Sequence, residues 1–167
     1  LGGSSAVNGM IYLRGQREDF DHWVRLGCTG WDFESVLQCY LRSEDQRSRG
    51  AGPYHAVGGP LAVSDPAEPH QVVDAFIQAA TQAGIPSNPD FNGATQEGAG
   101  YYQTMTRNGR RCSAAMAFIH PVRHRSNLTV KTGARVEKVL FEGKNASGVS
   151  VIIDGQRQTF SARREVI

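Results

Sequence analysis

Apolar residues in the first third of the chain recur at helical spacing. Phe20, Trp23 and Val24 share one helical face, and Gly27 stands where such a helix would stop. Asp32 is placed to cap a second helix. Behind it Phe33, Val36, Leu37, Tyr40 and Leu41 fall on one stripe. From Ser43 to Gly59 the chain is polar, interrupted by glycines and Pro53, and too poor in apolar residues to be buried, so a loop is expected. Leu61-Ala-Val63-Ser predicts a short strand. A third helix is expected to start near Pro69, to carry Val72, Val73, Phe76, Ile77 and Ala80 along one side, and to stop at Gly84. Residues 85–100, rich in Pro, Asn, Gly and Asp, read as loop. Tyr101 to Thr106 alternates as a strand does, Asn108-Gly109 is a strong hairpin-turn signal, and Ser113 can cap a short helix, Ala114 to Ile119, ending before Pro121.

From Asn127 the period changes to two. Leu128 to Thr132, Arg135 to Phe141, Ala146 to Ile153 and Gln156 to Ser161 predict successive strands, separated by Gly143-Lys-Asn145 and Asp154-Gly155. Arg164-Glu-Val-Ile167 reads as the start of a buried strand. The expected class is therefore α+β, or mixed α/β: a helix-rich region followed by a β-meander. Because Leu1 opens inside a loop and Ile167 stops at the start of an element, the chain reads as an internal piece of a longer protein.

Composition narrows the function classes. With 18 basic and 16 acidic residues spread along 167 positions, the net charge is +2, which does not provide the concentrated basic face that nucleic acid requires. The densest basic run, Pro121 to Arg125, reads as a solvated connection. No apolar run approaches the ~20 residues of a membrane-spanning helix, and no signal-peptide pattern opens the chain. Cys28, Cys39 and Cys112 form no metal-ligand spacing, so no metal is expected. Reduced and mostly buried thiols in a cytoplasmic protein are the expectation. Asn127-Leu-Thr129 and Asn145-Ala-Ser147 match the glycosylation acceptor pattern, which matters only for a secreted protein.

The stretch Leu1-Gly-Gly-Ser-Ser-Ala-Val-Asn-Gly-Met10-Ile-Tyr-Leu-Arg14-Gly15 is the chemically informative one. Adjacent glycines let backbone approach a ligand closely because no Cβ intervenes. Ser4 and Ser5 add hydroxyls, Asn8 adds an amide, and successive backbone N–H groups can cradle an anion. By themselves these features describe a polar, phosphate-bearing ligand or an ordinary Gly/Ser turn.

The same string resembles the first signature of the glucose–methanol–choline (GMC) oxidoreductase family: Gly-Gly-Ser-Ser, two variable residues, Asn-Gly-Met, then Tyr, then Arg-Gly. Asp19 with Trp23, Gly30-Trp31, Gly59-Pro-Leu, Asp90-Phe-Asn-Gly93, Asn108-Gly-Arg-Arg-Cys-Ser113, Asn127-Leu-Thr-Val130, Thr132-Gly-Ala-Arg-Val136 and Gly148-Val extend the resemblance over the whole chain. It implies an FAD-dependent enzyme that oxidises an alcohol, choline-dehydrogenase-like in character, with a small-molecule alcohol substrate and oxygen or another electron acceptor as partners. It implies that Gly3 and Ser4 lie along the FAD pyrophosphate, that Asn8, Gly9, Met10 and Ile11 lie beside the isoalloxazine ring, and that Val136 touches the adenine end. Val136 fits equally well as a plain strand residue. The implied division is a FAD-contacting loop in residues 1–15, a helical lid with part of the substrate-binding region in 16–126, and part of the FAD-binding domain in 127–167.

Two parts of the family pattern are not matched. No G-x-G-x-x-G stands between a strand and a helix, since Gly98-Ala-Gly100-Tyr-Tyr-Gln103 fails at its last position. His22, His55, His70, His120 and His124 fall in no catalytic motif of the family and read as structural or surface residues. The catalytic histidine is expected beyond Ile167. The alternative function is a non-catalytic binding or scaffold module built on the same fold.

Overall fold

Each helix begins where the sequence offers an acceptor for N–H groups that have no partner inside the helix. The computed structural model describes residues 1–167. In it α1 (Arg17–Arg25) opens on Asp19, whose Oδ2 accepts from the Gln16 N–H at 2.9 Å. α2 (Phe33–Ser43) opens on Asp32, whose Oδ1 accepts from Ser35 N at 3.0 Å. α3 (Gln71–Gln82) is capped by His70 Nδ1, accepting from Val72 N at 3.2 Å. Gly27 and Gly84 follow α1 and α3 at φ 102° and 91°, the left-handed conformation that ends a helix most easily at glycine.

The chain divides into two compact units, Leu1–His124 and Arg125–Ile167. In the first, Phe20, Phe33 and Leu37 form an apolar cluster lined by Val36, Tyr40, Leu41 and Tyr54, so the expected stripe of α2 does face inward. A second cluster joins Ala62, Cys112 and Ala117. The strands here are short. β1 (Glu44–Gln46) pairs in parallel with β2 (Leu61–Val63), and β3 (Thr106–Arg107) pairs antiparallel with β4 (Arg110–Arg111). Asn108 and Gly109 join β3 to β4 at φ 50° and 70°, as a two-residue turn with both central residues left-handed requires.

The second unit is a three-stranded antiparallel meander, β5 (Arg135–Glu142), β6 (Asn145–Ile153) and β7 (Gln156–Ser161), in that spatial order. Gly143 and Lys144 make the first turn, with positive φ at the glycine alone. Asp154 and Gly155 make the second at φ 51° and 76°. Gly148, Ser150 and Val151 on the central strand are its buried residues.

Several expectations are corrected. Residues 43–59 are not all loop: Glu44, Asp45 and Gln46 form β1 and are buried. Hydrogen bonding rather than apolarity makes this possible, because every buried polar side-chain atom there has a partner. Tyr101 to Thr106 is not a continuous strand; it contributes single bridges at Thr104 and then joins β3. Ala115–Ile119 is a π turn rather than an α-helix, and it runs on into a 3₁₀ turn, His120–Val122, that contains Pro121. Leu128 to Thr132 and Arg164 to Ile167 pair with nothing and form no strand. Cys28 and Cys39 are exposed, and only Cys112 is buried. The apolar stripe of α3 forms as expected but stays open within this chain, with Val72 65% and Phe76 70% exposed. No helix is long and apolar enough to cross a membrane.

Candidate functional site

The glycine-rich stretch folds as a 3₁₀ turn, Gly3–Ala6, followed by an extended arm. Gly2 and Gly3 both have positive φ, 101° and 54°. Gly2 has an internal reason to be glycine, since an added Cβ would sit 3.3 Å from Ser113 Oγ. Gly9 has none: its φ is not left-handed, and an added Cβ would meet nothing within 4 Å. A Cβ at Gly3 would likewise meet open space.

Met10 is the strained point. It is one of three non-glycine residues with positive φ, and at 64° the only one outside a hairpin turn. Asn108 and Asp154 are residue types that tolerate this conformation; an unbranched apolar residue holds it at a cost of about 1–3 kcal/mol. Surrounding bonds impose it. Asn8 Oδ1 accepts from Met10 N at 3.0 Å, and Met10 O accepts from Met105 N at 2.8 Å. Ile11 bridges to Thr104 and is 49% exposed.

The loop is held from beneath by the hairpin and the π turn. Arg111 donates through one nitrogen to Ser5 O at 3.1 Å and to Asn8 Oδ1 at 3.0 Å. Ser5 Oγ accepts from Ala114 N at 2.8 Å and donates to Gly2 O. With Asn8 Oδ1 used twice, the Asn8 amide NH₂ is left free as a donor, and the Ser4 side chain stands in solvent. The loop thus offers an open glycine backbone, a hydroxyl, an amide donor and two apolar side chains, Met10 and Ile11. That donor set fits a ligand with a polar, phosphate-bearing part and a flat apolar part.

Immediately after Ile11 the chain enters a buried polar network. Arg14, 5% exposed, donates to Glu44 Oε2 at 2.9 Å, to Tyr54 O at 2.6 Å and to the Tyr12 hydroxyl at 3.1 Å. Glu44 is fully buried; it also accepts from Ala56 N at 3.0 Å and Gln46 Nε2 at 3.3 Å, and it faces His55 Nδ1 at 3.0 Å. His55 Nε2 faces Asp90 Oδ2 at 2.8 Å. Asn92 ties the arm from the side, its Oδ1 accepting from Arg14 N at 2.9 Å and its Nδ2 donating to Tyr12 O at 3.0 Å. The Glu44 carboxylate holds the His55 pKa above its usual value, against the opposing effect of burial, with Asp90 adding to the rise. Burial raises the Tyr12 hydroxyl, partly offset by Arg14.

Residues 1–167 match the sequence profile of the GMC oxidoreductases along their whole length. The chain belongs to the GMC oxidoreductase family. It is 45% identical over 166 residues to mitochondrial choline dehydrogenase of Mus musculus, covering 99% of this chain and 28% of the mouse protein. Among solved structures, pyridoxine 4-oxidase from Mesorbium loti superposes with a TM-score of 0.87 at 32% identity, over 95% of this chain and 31% of that one. An FAD-dependent oxidoreductase from Chaetomium thermophilum superposes with a TM-score of 0.89 at 28% identity, over 97% of this chain and 30% of that one. The GMC chain described here therefore spans less than a third of these relatives.

Gly3, Ser4, Asn8, Gly9, Met10 and Ile11 lie on one loop of the first unit. Val136 lies in the second unit, on β5, opposite Val151 and 59% exposed. A register shift between Val136 and Lys138 bends that strand beside it. Sequence reasoning missed Arg111, which holds the loop, and Glu44, His55 and Asp90, which form the buried network around Arg14. One signal was available for Arg111. A two-residue turn at Asn108-Gly109 sends Arg110 and Arg111 to opposite faces, so one of two adjacent arginines had to point away from its neighbour. For Glu44 there was no such signal, because its burial depends on partners 30, 11 and 12 positions away in sequence.

Proposed function

We propose that this chain supplies part of the FAD site of an enzyme that oxidises an alcohol to an aldehyde or ketone, and that Gly3, Ser4 and Asn8 to Ile11 are its flavin-contacting residues. The observation that carries the reading is the open Gly9 beside the strained Met10: no neighbour within the chain requires a glycine at position 9, and internal bonds hold Met10 in a costly conformation, whereas a flat ligand lying against the backbone would use both. When bound, FAD supplies the hydride acceptor that no amino-acid side chain can provide. Gly3 and Ser4 would hold its phosphates through backbone N–H groups and a hydroxyl, and Asn8 would donate its amide. Met10 and Ile11 would screen the ring from water. Val136, on its exposed strand, would meet the adenine end.

The same reading assigns residues 1–15 to the flavin loop, 16–126 to a lid and part of the substrate region, and 127–167 to the remainder of the flavin-binding part. The relatives named above support a small alcohol as substrate and oxygen or another acceptor as oxidant. Three unpaired thiols agree with a cytoplasmic setting. None of the five histidines is assigned as the general base, because His55 is engaged on both ring nitrogens and the other four are exposed on the surface. Residues 1–167 alone are thus expected to be inactive.

The test compares residues 1–167 with the full-length protein, each with excess FAD, a panel of primary alcohols and an artificial electron acceptor. Flavin reduction by an alcohol in the full-length protein alone is the expected result. Turnover by residues 1–167 would show that the base had been misplaced. A flavin-bound full-length protein inert toward every alcohol would favour a non-catalytic module.

A further inference from the structure

Both ring nitrogens of His55 face carboxylate oxygens, Nδ1 toward Glu44 at 3.0 Å and Nε2 toward Asp90 at 2.8 Å. A neutral imidazole carries one N–H and one lone pair, so it can satisfy only one of these contacts and must set its lone pair against the other carboxylate. An imidazolium donates to both. The charges facing the ring allow this. Arg14 sits on the far side of Glu44 at 2.9 Å, and Arg49 approaches Asp90 at 3.9 Å while pairing with Asp65 at 2.8 Å. Three cations thus alternate with three anions, and two neutral groups close the set: the Tyr12 hydroxyl accepts from Arg14 Nε at 3.1 Å and Gln46 Nε2 donates to Glu44 Oε1 at 3.3 Å.

We propose that His55 is held as an imidazolium and acts as a positioning residue for the Asn8–Ile11 loop, through Glu44, Arg14 and Tyr12. This rests on the reading of that loop as flavin-contacting. The route is continuous. Glu44 fixes the Arg14 guanidinium, Arg14 and Asn92 fix the arm at Tyr12 and Arg14, and Tyr12 N donates to Gln103 O at 2.8 Å next to the Ile11–Thr104 bridge. His55 also ties Asp90, whose Oδ1 accepts from Asn92 N at 3.1 Å, so the clamp reaches the arm from two sides. Loss of the proton turns one attraction into a lone-pair repulsion inside a buried network and lets the arm, and the loop before it, relax.

The experiment uses the full-length protein with bound FAD. Nitrogen NMR of labelled histidine rings should show both His55 nitrogens protonated, with a midpoint above the ordinary histidine value of about 6.5. Flavin affinity should fall about tenfold as pH rises through that midpoint, the size of an ordinary coupling between two sites. Asp90→Asn keeps the ring but offers it an amide, so a neutral imidazole is satisfied there; both the ring midpoint and the flavin profile should move to lower pH together. A purely architectural histidine would change thermal stability in Asp90→Asn without moving the flavin profile. His55 titrating at or below about 6.5 overturns the imidazolium. A raised midpoint with a flat flavin profile overturns the positioning role, provided Gly9→Val weakens FAD. If Gly9→Val leaves FAD binding unchanged, the flavin reading of the loop fails and the positioning role fails with it, while the ring titration still decides the charge.

Discussion

The two units of this chain are buried by different means. At the centre of Leu1–His124, beneath the candidate loop, sit an arginine, a glutamate, a histidine and several amides, saturated with mutual hydrogen bonds. The three-stranded unit of Arg125–Ile167 has no such interior: it is organised by ladder hydrogen bonds along β5, β6 and β7, and Gly148, Ser150 and Val151 are its only buried residues. A ladder needs only two-residue alternation and competent turns, and tolerates many side chains. A buried ionic network tolerates almost none, because removing one member leaves its partner charged and alone. The difference shows where precision is concentrated: the network adjoins the arm that carries the residues proposed to contact the flavin.

The comparison breaks most visibly at Glu44. Glu44→Ala should destabilise the chain by about 3–5 kcal/mol in urea unfolding, since it strands Arg14 and His55 in the interior. Val151→Ala in the meander should cost about 1–3 kcal/mol, as a buried apolar truncation does. Equal losses at the two positions would erase the distinction.

Within the meander the sensitive element is backbone spacing. An added Cβ at Gly148 would collide with the carbonyl oxygen of Phe160 on β7. Gly148→Ala should therefore cost about 1–3 kcal/mol and raise hydrogen exchange along β7, leaving amides of the first unit unchanged.

The pH response belongs to the first unit. His55 has a folded pKa above its ordinary value of about 6.5, so the stability it contributes is complete below that pH and is lost as pH rises through the folded pKa. Thermal unfolding followed by a probe near Tyr12 should weaken over that window, and His55→Gln should abolish the dependence. A stability curve flat from pH 6 upward would remove the histidine from the account.

The smallest effect expected is at Met10. Met10→Gly removes the left-handed strain and should stabilise the chain by about 1 kcal/mol or less, offset by the flexibility that glycine adds to the unfolded state. In the full-length protein it should nonetheless weaken flavin binding, which separates strain kept for a ligand from strain kept for folding.

How far these features could be read from sequence follows the same division. β5 to β7 were legible because alternation and Asp154-Gly155 carry their information locally, and α2 because Asp32 and one apolar stripe do the same. Leu128 to Thr132 misled by alternating without a partner strand to pair with. β1 was illegible because Glu44-Asp45-Gln46 has the composition of a loop, and partners brought close by folding, among them His55, Arg14, Ala56 and Gly58, make its burial tolerable. The π turn at Ala115–Ile119 was read as a helix of the right place and wrong pitch; five residues of Ala, Met, Phe and Ile carry no signal that separates the two.

The central claim is that Gly3, Ser4 and Asn8 to Ile11 form the flavin-contacting surface, and a crystal structure of the full-length protein with FAD tests it most directly. The account predicts the isoalloxazine ring in van der Waals contact with the backbone of Asn8 to Ile11, Met10 still at positive φ, and the pyrophosphate within hydrogen-bond reach of Gly3 and Ser4. A flavin seated elsewhere would contradict it, for example in the cavity of about 610 Å³ beside Phe33, Tyr54, Phe91 and Gln96, with residues 8–11 out of reach.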